Sequence, residues 1–122
     1  MADAGHVLDA VGEPNRRHLL RLLHERRECT VSELVDASGL RQPQVSKHLR
    51  VLAEAALVSC TAAGRFRRYR LAPEGLQAAH DWFASFEDVW RARFDALDAL
   101  VSTDPDRDPD PDPDPDPEET PP

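Results

Sequence analysis

Apolar residues recur at helical spacing through most of residues 5–103. Val7, Leu8 and Val11 predict a short first helix. Pro14 predicts the start of a second helix, because the fixed φ of proline suits the first helical position. The apolar positions of this second helix, which we expect to face the core, are Leu19, Leu20, Leu22 and Leu23.

Two further helices, separated by a short turn, are predicted next. The segment Thr30–Glu33 has the Thr-x-x-Glu pattern of a capping box, which satisfies free N–H groups at a helix start. Gly39 is expected to end this third helix, since glycine accepts the left-handed conformation of many helix ends. Pro43 lies near the start of a fourth helix, predicted to span residues 42–56. Its inner face carries Val45, Leu49, Leu52 and Ala56.

The pattern becomes strand-like after the fourth helix. Residues 57–61 and 66–71 are predicted as the two strands of a hairpin, joined by a turn that contains Gly64. Pro73 and Glu74 then open a last, long helix that is predicted to continue to about residue 101. The expected fold is mainly α with a small β-hairpin.

Charge is unevenly distributed along the chain, whose net charge is −8. Residues 14–70 hold twelve basic and five acidic side chains, whereas residues 104–122 hold nine acids and one arginine. A basic centre is the electrostatic pattern of a protein that binds a polyanion. The acidic end repeats Asp-Pro, and its prolines and mutually repelling acids predict disorder. We therefore expect a domain of residues 1–103 and a disordered acidic tail of residues 104–122.

Several classes of protein are not expected from this sequence. No apolar run approaches the ~20 residues of a membrane span, and the N-terminus lacks the pattern of a signal peptide. Two cysteines cannot build a disulfide framework, which favours a reduced, cytoplasmic protein. The sequence has no phosphate-binding glycine loop and no catalytic motif, so we expect neither an enzyme nor a cofactor.

The order of the elements points to double-stranded DNA as a partner. Two helices joined by a turn with glycine and followed by a basic hairpin form a winged helix-turn-helix, whose second helix can enter a major groove. Glutamine can pair with adenine, lysine can reach guanine, and hairpin arginines suit phosphates or a minor groove. Phe66 is expected to pack rather than to wedge against DNA. The predicted DNA-binding residues, in helix 42–56 and the Arg-rich wing 62–70, are Gln42, Gln44, Ser46, Lys47, Arg50, Arg65, Arg67 and Arg68.

The same segments resemble the ArsR/SmtB family of winged-helix repressors. The resemblance covers roughly residues 7–76, and it is carried by Asn15–Arg17, Leu34–Leu40, Gln44–Leu52, Ala55–Val58 and Gly64–Leu71. It implies a homodimeric bacterial transcription regulator, usually a repressor, that reads a pseudo-palindromic operator with helix 42–56.

Three positions depart from the family pattern. Arg41 stands where such sequences usually have a Ser-type N-cap, Ala56 replaces a common glycine, and Arg67 occupies a usually apolar wing position. We expect these changes to affect the capping of helix 42–56, its exit, and the packing of the wing.

An apolar stripe along the last helix predicts a second copy of the chain as a partner. One small domain cannot bury so broad a stripe, and a two-fold dimer is the usual solution. A dimer would also place two reading helices about 34–36 Å apart, one turn of DNA. The predicted dimer-interface residues are Val7, Leu8, Trp82, Phe86, Val89, Trp90 and Leu97.

The signal that the protein would sense is left open. The resemblance implies no metal site, because the Cys-x-Cys pair of metal-sensing members is missing from Cys29–Leu34. A metal- or redox-responsive repressor, with Cys29 and Cys60 as the thiols, stays an alternative, and so does an unknown small-molecule effector. A winged-helix protein-interaction module without operator binding is another. The acidic tail is expected to aid solubility, with competition against DNA as the alternative.

Overall fold

The computed structural model of the chain describes residues 2–102. Within that range the fold is mainly α with a small β-hairpin, as the sequence predicts. The helices and strands are α1 Ala4–Val11, α2 Pro14–Arg26, α3 Val31–Ser38, α4 Gln42–Glu54, β1 Val58–Ala63, β2 Phe66–Leu71, α5 Pro73–Ala84 and α6 Glu87–Ser102. The predicted disordered tail of residues 104–122 lies outside the described residues, so the proposed domain division stays a prediction.

The described chain divides into two compact units between Ser85 and Phe86. The first unit contains α1 to α5 and the hairpin, and the second contains α6. Within residues 2–102, no helix combines the length and the apolar character that crossing a bilayer requires.

The core of the first unit is made of aliphatic side chains from α1, α2, α3, α4 and β1. Leu19, Leu34, Leu49, Leu52 and Leu57 are each at most 1% exposed, and no polar or charged residue of the described chain is buried among them. The core therefore has no polar group to satisfy, and it fixes the helices through hydrophobic burial and close packing alone.

Two arginines of α2 close the C-terminal end of α1. Arg16 Nε donates to the carbonyl oxygen of Ala10 (2.6 Å), and Arg17 Nη1 donates to that of Val11 (2.8 Å). The last carbonyls of a helix have no partner within the helix, and cations are favoured there by the helix dipole. The pair thus joins α1 to α2 through charge-assisted hydrogen bonds.

The helix predicted over residues 42–56 is shorter in the structure, because α4 ends at Glu54. Ala55 follows as the C-cap, and Ala56 adopts a left-handed backbone with φ +60°. The N–H of Gly75 donates to the Ala56 carbonyl oxygen at 2.7 Å, and a Cβ built on Gly75 would lie 2.6 Å from that oxygen. Glycine at position 75 therefore allows α5 to start against the end of α4.

The prediction of one continuous last helix is wrong. Within the first unit α5 ends at Ala84, and Ser85 Oγ donates to the carbonyl oxygen of Trp82 (2.6 Å). Serine competes in this way for backbone groups and favours helix ends. The two acids Glu87 and Asp88 occupy the first turn of α6, where the helix dipole favours them.

The left-handed conformation at Ala56 predicts a gain in stability from glycine. The left-handed region costs an alanine about 1–2 kcal/mol, and part of that is regained by a residue without Cβ. We expect Ala56→Gly to raise the free energy of unfolding by about 0.5–1 kcal/mol, measured by urea denaturation at fixed protein concentration. Ala53→Gly, in the right-handed part of α4, is the control and should lower it by about the same amount. A loss of stability in both variants would contradict the explanation.

Candidate nucleic-acid interface

A helix-turn-helix is formed by α3 and α4. The capping box at the start of α3 is present as predicted, with Thr30 Oγ1 accepting from the N–H of Glu33 and Glu33 Oε1 accepting from that of Thr30. At its other end Gly39 has φ +78° and donates to the Val35 carbonyl oxygen. Only a residue without Cβ takes this backbone without strain, so Gly39 sets the turn that leads into α4.

The core determines which face of α4 reaches solvent. Val45, Leu49 and Leu52 share one side of the helix and are buried, each at most 1% exposed. At 100° per residue, this places the remaining side chains on the outer face and its flanks. All five predicted DNA-binding residues of the helix are exposed: Gln42, Gln44, Ser46, Lys47 and Arg50.

Gln44 also takes part in capping the start of α4. Arg41 is the N-cap, but its guanidinium has only donors and cannot accept the free N–H groups of the first turn. Instead Gln44 Oε1 accepts the backbone N–H of Arg41 at 3.0 Å. One of the two hydrogen bonds of a capping box is therefore present at the start of α4. The side chain that makes it, Gln44, was predicted from the sequence only as a DNA contact.

The charges of α4 favour an approach of DNA to its N-terminal half. Lys47 and Arg50 lie on the outer face, and the only acid of the helix, Glu54, is its last residue. The helix dipole adds partial positive charge at the N-terminus. A phosphate backbone is therefore attracted to the first three turns and repelled from the end.

The wing is an antiparallel pair of strands, β1 and β2, joined by Gly64 and Arg65. Ala63 pairs with Phe66, so the loop has two residues, and Gly64 takes the positive φ (+66°) that such tight hairpins require. Compared with the prediction, β1 begins one residue later and continues to Ala63. This places Arg65 at the tip.

The register of the hairpin separates its arginines onto two faces. Residues that pair directly share a face, so Arg68 lies with Thr61, and Arg70 with Ser59. Arg67 lies on the other face, where its Nη1 is 3.8 Å from Cys60 Sγ. The three predicted wing residues are all exposed, but they do not form one surface, because Arg67 and Arg68 lie on opposite faces of the hairpin.

Phe66 and Arg70 complete the surface of the wing. Phe66 was expected to pack, but its ring is 60% exposed next to the tip of the wing, on the same face as Arg68. Arg70 is 3.8 Å from Glu28 in a solvent-exposed ion pair. The exposed aromatic ring is consequently available for contact, whereas Arg70 has a carboxylate beside it.

His48 joins α4 to the arginine that closes α1. Its Nδ1 lies 3.5 Å from Nη1 of Arg16, and the same guanidinium contacts the Ala10 carbonyl. Glu13 caps α2 by accepting the Arg16 N–H (2.9 Å), and this bond holds the pKa of the Glu13 carboxyl below its usual value. His48 is half-buried in this contact, which links α4 to α2.

The two cysteines are separated by a strand. Tyr69 of β2 pairs with Cys60 on one side, and its backbone exchanges two hydrogen bonds with Cys29 on the other (3.0 and 2.8 Å). Since neighbouring strands are about 4.8 Å apart, the two cysteines are about 10 Å apart, beyond the ~7 Å limit for a disulfide. Burial, followed by the nearby Glu33 carboxylate, also raises the pKa of the Cys29 thiol and keeps it protonated. A disulfide between these two residues of one chain is therefore excluded without backbone movement.

In residues 2–102, no three His, Cys, Asp or Glu side chains cluster as metal ligands.

The predicted dimer-interface residues have very different exposures. Val7 is fully buried within α1, so a partner cannot contact its side chain, and we remove it from the predicted interface. Leu8 is half-buried, and in α5 Trp82 is 40% exposed and packs edge-on against Phe83. In the second unit the four remaining residues, all 42–59% exposed, are Phe86, Val89, Trp90 and Leu97.

The chain is similar to known DNA-binding regulators in sequence and in structure. A family model described as a helix-turn-helix domain matches residues 11–61. The HTH-type transcriptional repressor SmtB of Mycobacterium tuberculosis is 42% identical over 73 residues, which are 60% of this chain and 53% of that protein. The chain thus spans about half the length of this relative. The transcriptional repressor SdpR of Bacillus subtilis is 30% identical over 81 residues, 66% of this chain and 89% of that protein. The crystal structure of an ArsR family transcriptional regulator aligns with a TM-score of 0.64 at 27% identity, covering 75% of this chain and 97% of that one.

The double role of Gln44 predicts that helix capping and DNA binding can be separated. Gln44→Glu keeps an oxygen that accepts the Arg41 N–H and adds a charge that the helix N-terminus favours. It also removes the amide donor and places a negative charge toward DNA, so we expect an unchanged melting temperature and at least about tenfold weaker duplex binding. Gln44→Ala, as the comparison, should lose both properties. Equal duplex affinity of wild type and Gln44→Glu would show that this side chain does not face DNA.

Proposed function

Because this chain belongs to the ArsR/SmtB family of winged helix-turn-helix transcriptional regulators, we propose that it is a homodimeric repressor that binds a pseudo-palindromic operator. The observation that carries the proposal is the polar and basic outer face of α4, held outward by the buried face of the same helix. Operator binding places the protein in the cytoplasm, where such DNA lies.

In this proposal the N-terminal half of α4 lies in the major groove. Gln42 and Gln44 supply amides that can pair with adenine, and Ser46 can contact a base or a phosphate. Lys47 and Arg50 project from the outer face toward guanine acceptors or the phosphate backbone. Base contacts by the amides give specificity, while the cations give most of the affinity and its dependence on salt.

The wing is proposed to contact DNA on the side of Arg65 and Arg68. Arginine side chains bind phosphates and enter narrow minor grooves, where the negative potential is strongest. Phe66 is exposed beside them, and an apolar ring at such a position can lie against sugars or between base steps. Arg67 is proposed to stabilise the hairpin instead, because it turns toward Cys60.

A second copy of the chain is the proposed partner of the exposed apolar residues. In α6 the side chains of Trp90, Phe94 and Leu97 project on one face and are 45–60% exposed, and Phe86, just before the helix, is 42% exposed. Monomeric soluble proteins rarely expose so many large apolar groups together, and a two-fold contact between identical faces buries them. The resulting dimer would present two α4 helices to two half-sites.

We expect the protein to bind DNA from upstream of its own gene at least about 10³ times more tightly than a scrambled duplex. Because phosphate contacts release counterions, the logarithm of the binding constant should fall steeply with the logarithm of the salt concentration. Fluorescence anisotropy over a salt series measures both quantities. Equal, weak binding of the two duplexes would favour the protein-interaction module instead.

Variants in the wing separate charge from apolar contact in the same assay. Arg68→Ala should lower the affinity and reduce the salt slope by about 1, since one phosphate contact is lost. Phe66→Ala should lower the affinity by several-fold and leave the salt slope unchanged, because no charge is altered. Arg67→Ala is the matched control for an arginine on the other face. Similar effects of Arg67→Ala and Arg68→Ala would contradict the proposed orientation of the wing.

The dimer is tested by placing a charge in the apolar face of α6. Leu97→Glu should shift the chain from dimer to monomer in sedimentation equilibrium, because a carboxylate would have to be desolvated in the interface. Ala92→Glu adds the same charge on a different side of the helix and should stay dimeric. A wild-type chain that sediments as a monomer at tens of micromolar would refute the dimer but not the DNA-binding surface.

A further inference from the structure

A groove of about 340 Å³ lies in the first unit, away from the outer face of α4. It is bounded by the end of α1, by α2, by the end of β2 and by the start of α5. The side chains that line it are Val11, Leu20, Leu71, Leu76, Arg17, Arg21 and His24. Aliphatic groups and cations are thus the main components of its wall.

The apolar part of the groove comes from four different elements. Val11, Leu20 and Leu71 are half-buried, since one side of each packs against the core, and Leu76 is 44% exposed. A concave surface of aliphatic side chains loses apolar contact with water when a hydrocarbon group fills it. This part of the groove therefore favours an apolar ligand.

The cationic part comes from one face of α2. Arg17, Arg21 and His24 follow each other at i, i+4 and i+7, which places them in a row along the helix. Arg17 uses one N–H on the Val11 carbonyl (2.8 Å) and keeps further donors. Within residues 2–102 no ion pair engages these three side chains, and no acid lines the groove. The positive charge of Arg17 and Arg21 is thus available to an anionic group.

We propose that this groove binds a small apolar monocarboxylate, with its hydrocarbon part against the leucines and its carboxylate on Arg21 and Arg17. The planar guanidinium matches a carboxylate with two parallel hydrogen bonds, which a neutral or cationic head group cannot form. The volume lies at the lower end of the roughly 300–1,000 Å³ of small-molecule sites, so the ligand is a short acid. No DNA contact is involved, and the proposal stands or falls independently of operator binding.

Isothermal titration calorimetry of the full-length protein with octanoate tests the site. We expect one octanoate per chain, and at least about tenfold weaker binding of octylammonium, which has the same chain length and the opposite charge. Octanol, which lacks the charge, should also bind at least about tenfold more weakly. Arg21→Ala should weaken octanoate binding to a similar degree. Arg26→Ala removes an exposed arginine of the same helix outside the groove and should leave octanoate binding unchanged.

Three results would overturn the proposal. If octanoate fails to bind the wild type, the groove is not a ligand site. The same conclusion holds if the reason is that a second chain covers Leu76. Equal affinities for octanoate and octanol would show that the cations take no part. Equal effects of Arg21→Ala and Arg26→Ala would locate the anion elsewhere on the basic surface. Circular dichroism spectra that match the wild type confirm that both variants are folded.

Discussion

The burial of one side of α4 is the constraint on which the rest of the proposed interface depends. Val45, Leu49 and Leu52 are almost completely removed from water, together with Leu19 and Leu23 of α2 and Leu34 of α3. Rotating α4 about its axis to present another face would expose these side chains, at a cost of roughly 1.5–3 kcal/mol for each. The orientation of the residues that are proposed to read DNA is thus fixed by buried side chains on the opposite side of the helix.

Helix ends connect this core to the surface. Arg16 and Arg17 close the end of α1, and Arg16 also contacts His48 of α4. These arginines carry the charge of a DNA-binding protein, but their hydrogen bonds hold helices together. Gln44 shows the reverse combination, since its oxygen caps α4 while its position faces the proposed major groove. Counting basic residues therefore overestimates the surface that is free for phosphate.

In the wing, arginines that are adjacent in sequence lie on two different surfaces. Arg67 and Arg68 are neighbours in sequence, and the alternation of a strand places them on opposite faces. Arg68 shares its face with the exposed ring of Phe66, and Arg67 lies near Cys60. A contact with DNA on the side of Phe66 and Arg68 would therefore leave out Arg67.

The amino-acid sequence was sufficient to predict the order of helices and strands up to the start of α5, the capping box at Thr30, the turn at Gly39 and the tight hairpin at Gly64. Each of these depends on residues close in sequence, on apolar periodicity or on the backbone freedom of glycine. The same apolar periodicity predicted which face of α4 is buried. The break between α5 and α6 was not predicted, and packing between elements was needed to show that Val7 is buried, that Phe66 is exposed, that Ala56 is left-handed and that a strand separates Cys29 from Cys60. These features arise from contacts between elements distant in sequence, and no local pattern records which side chains the other elements will cover.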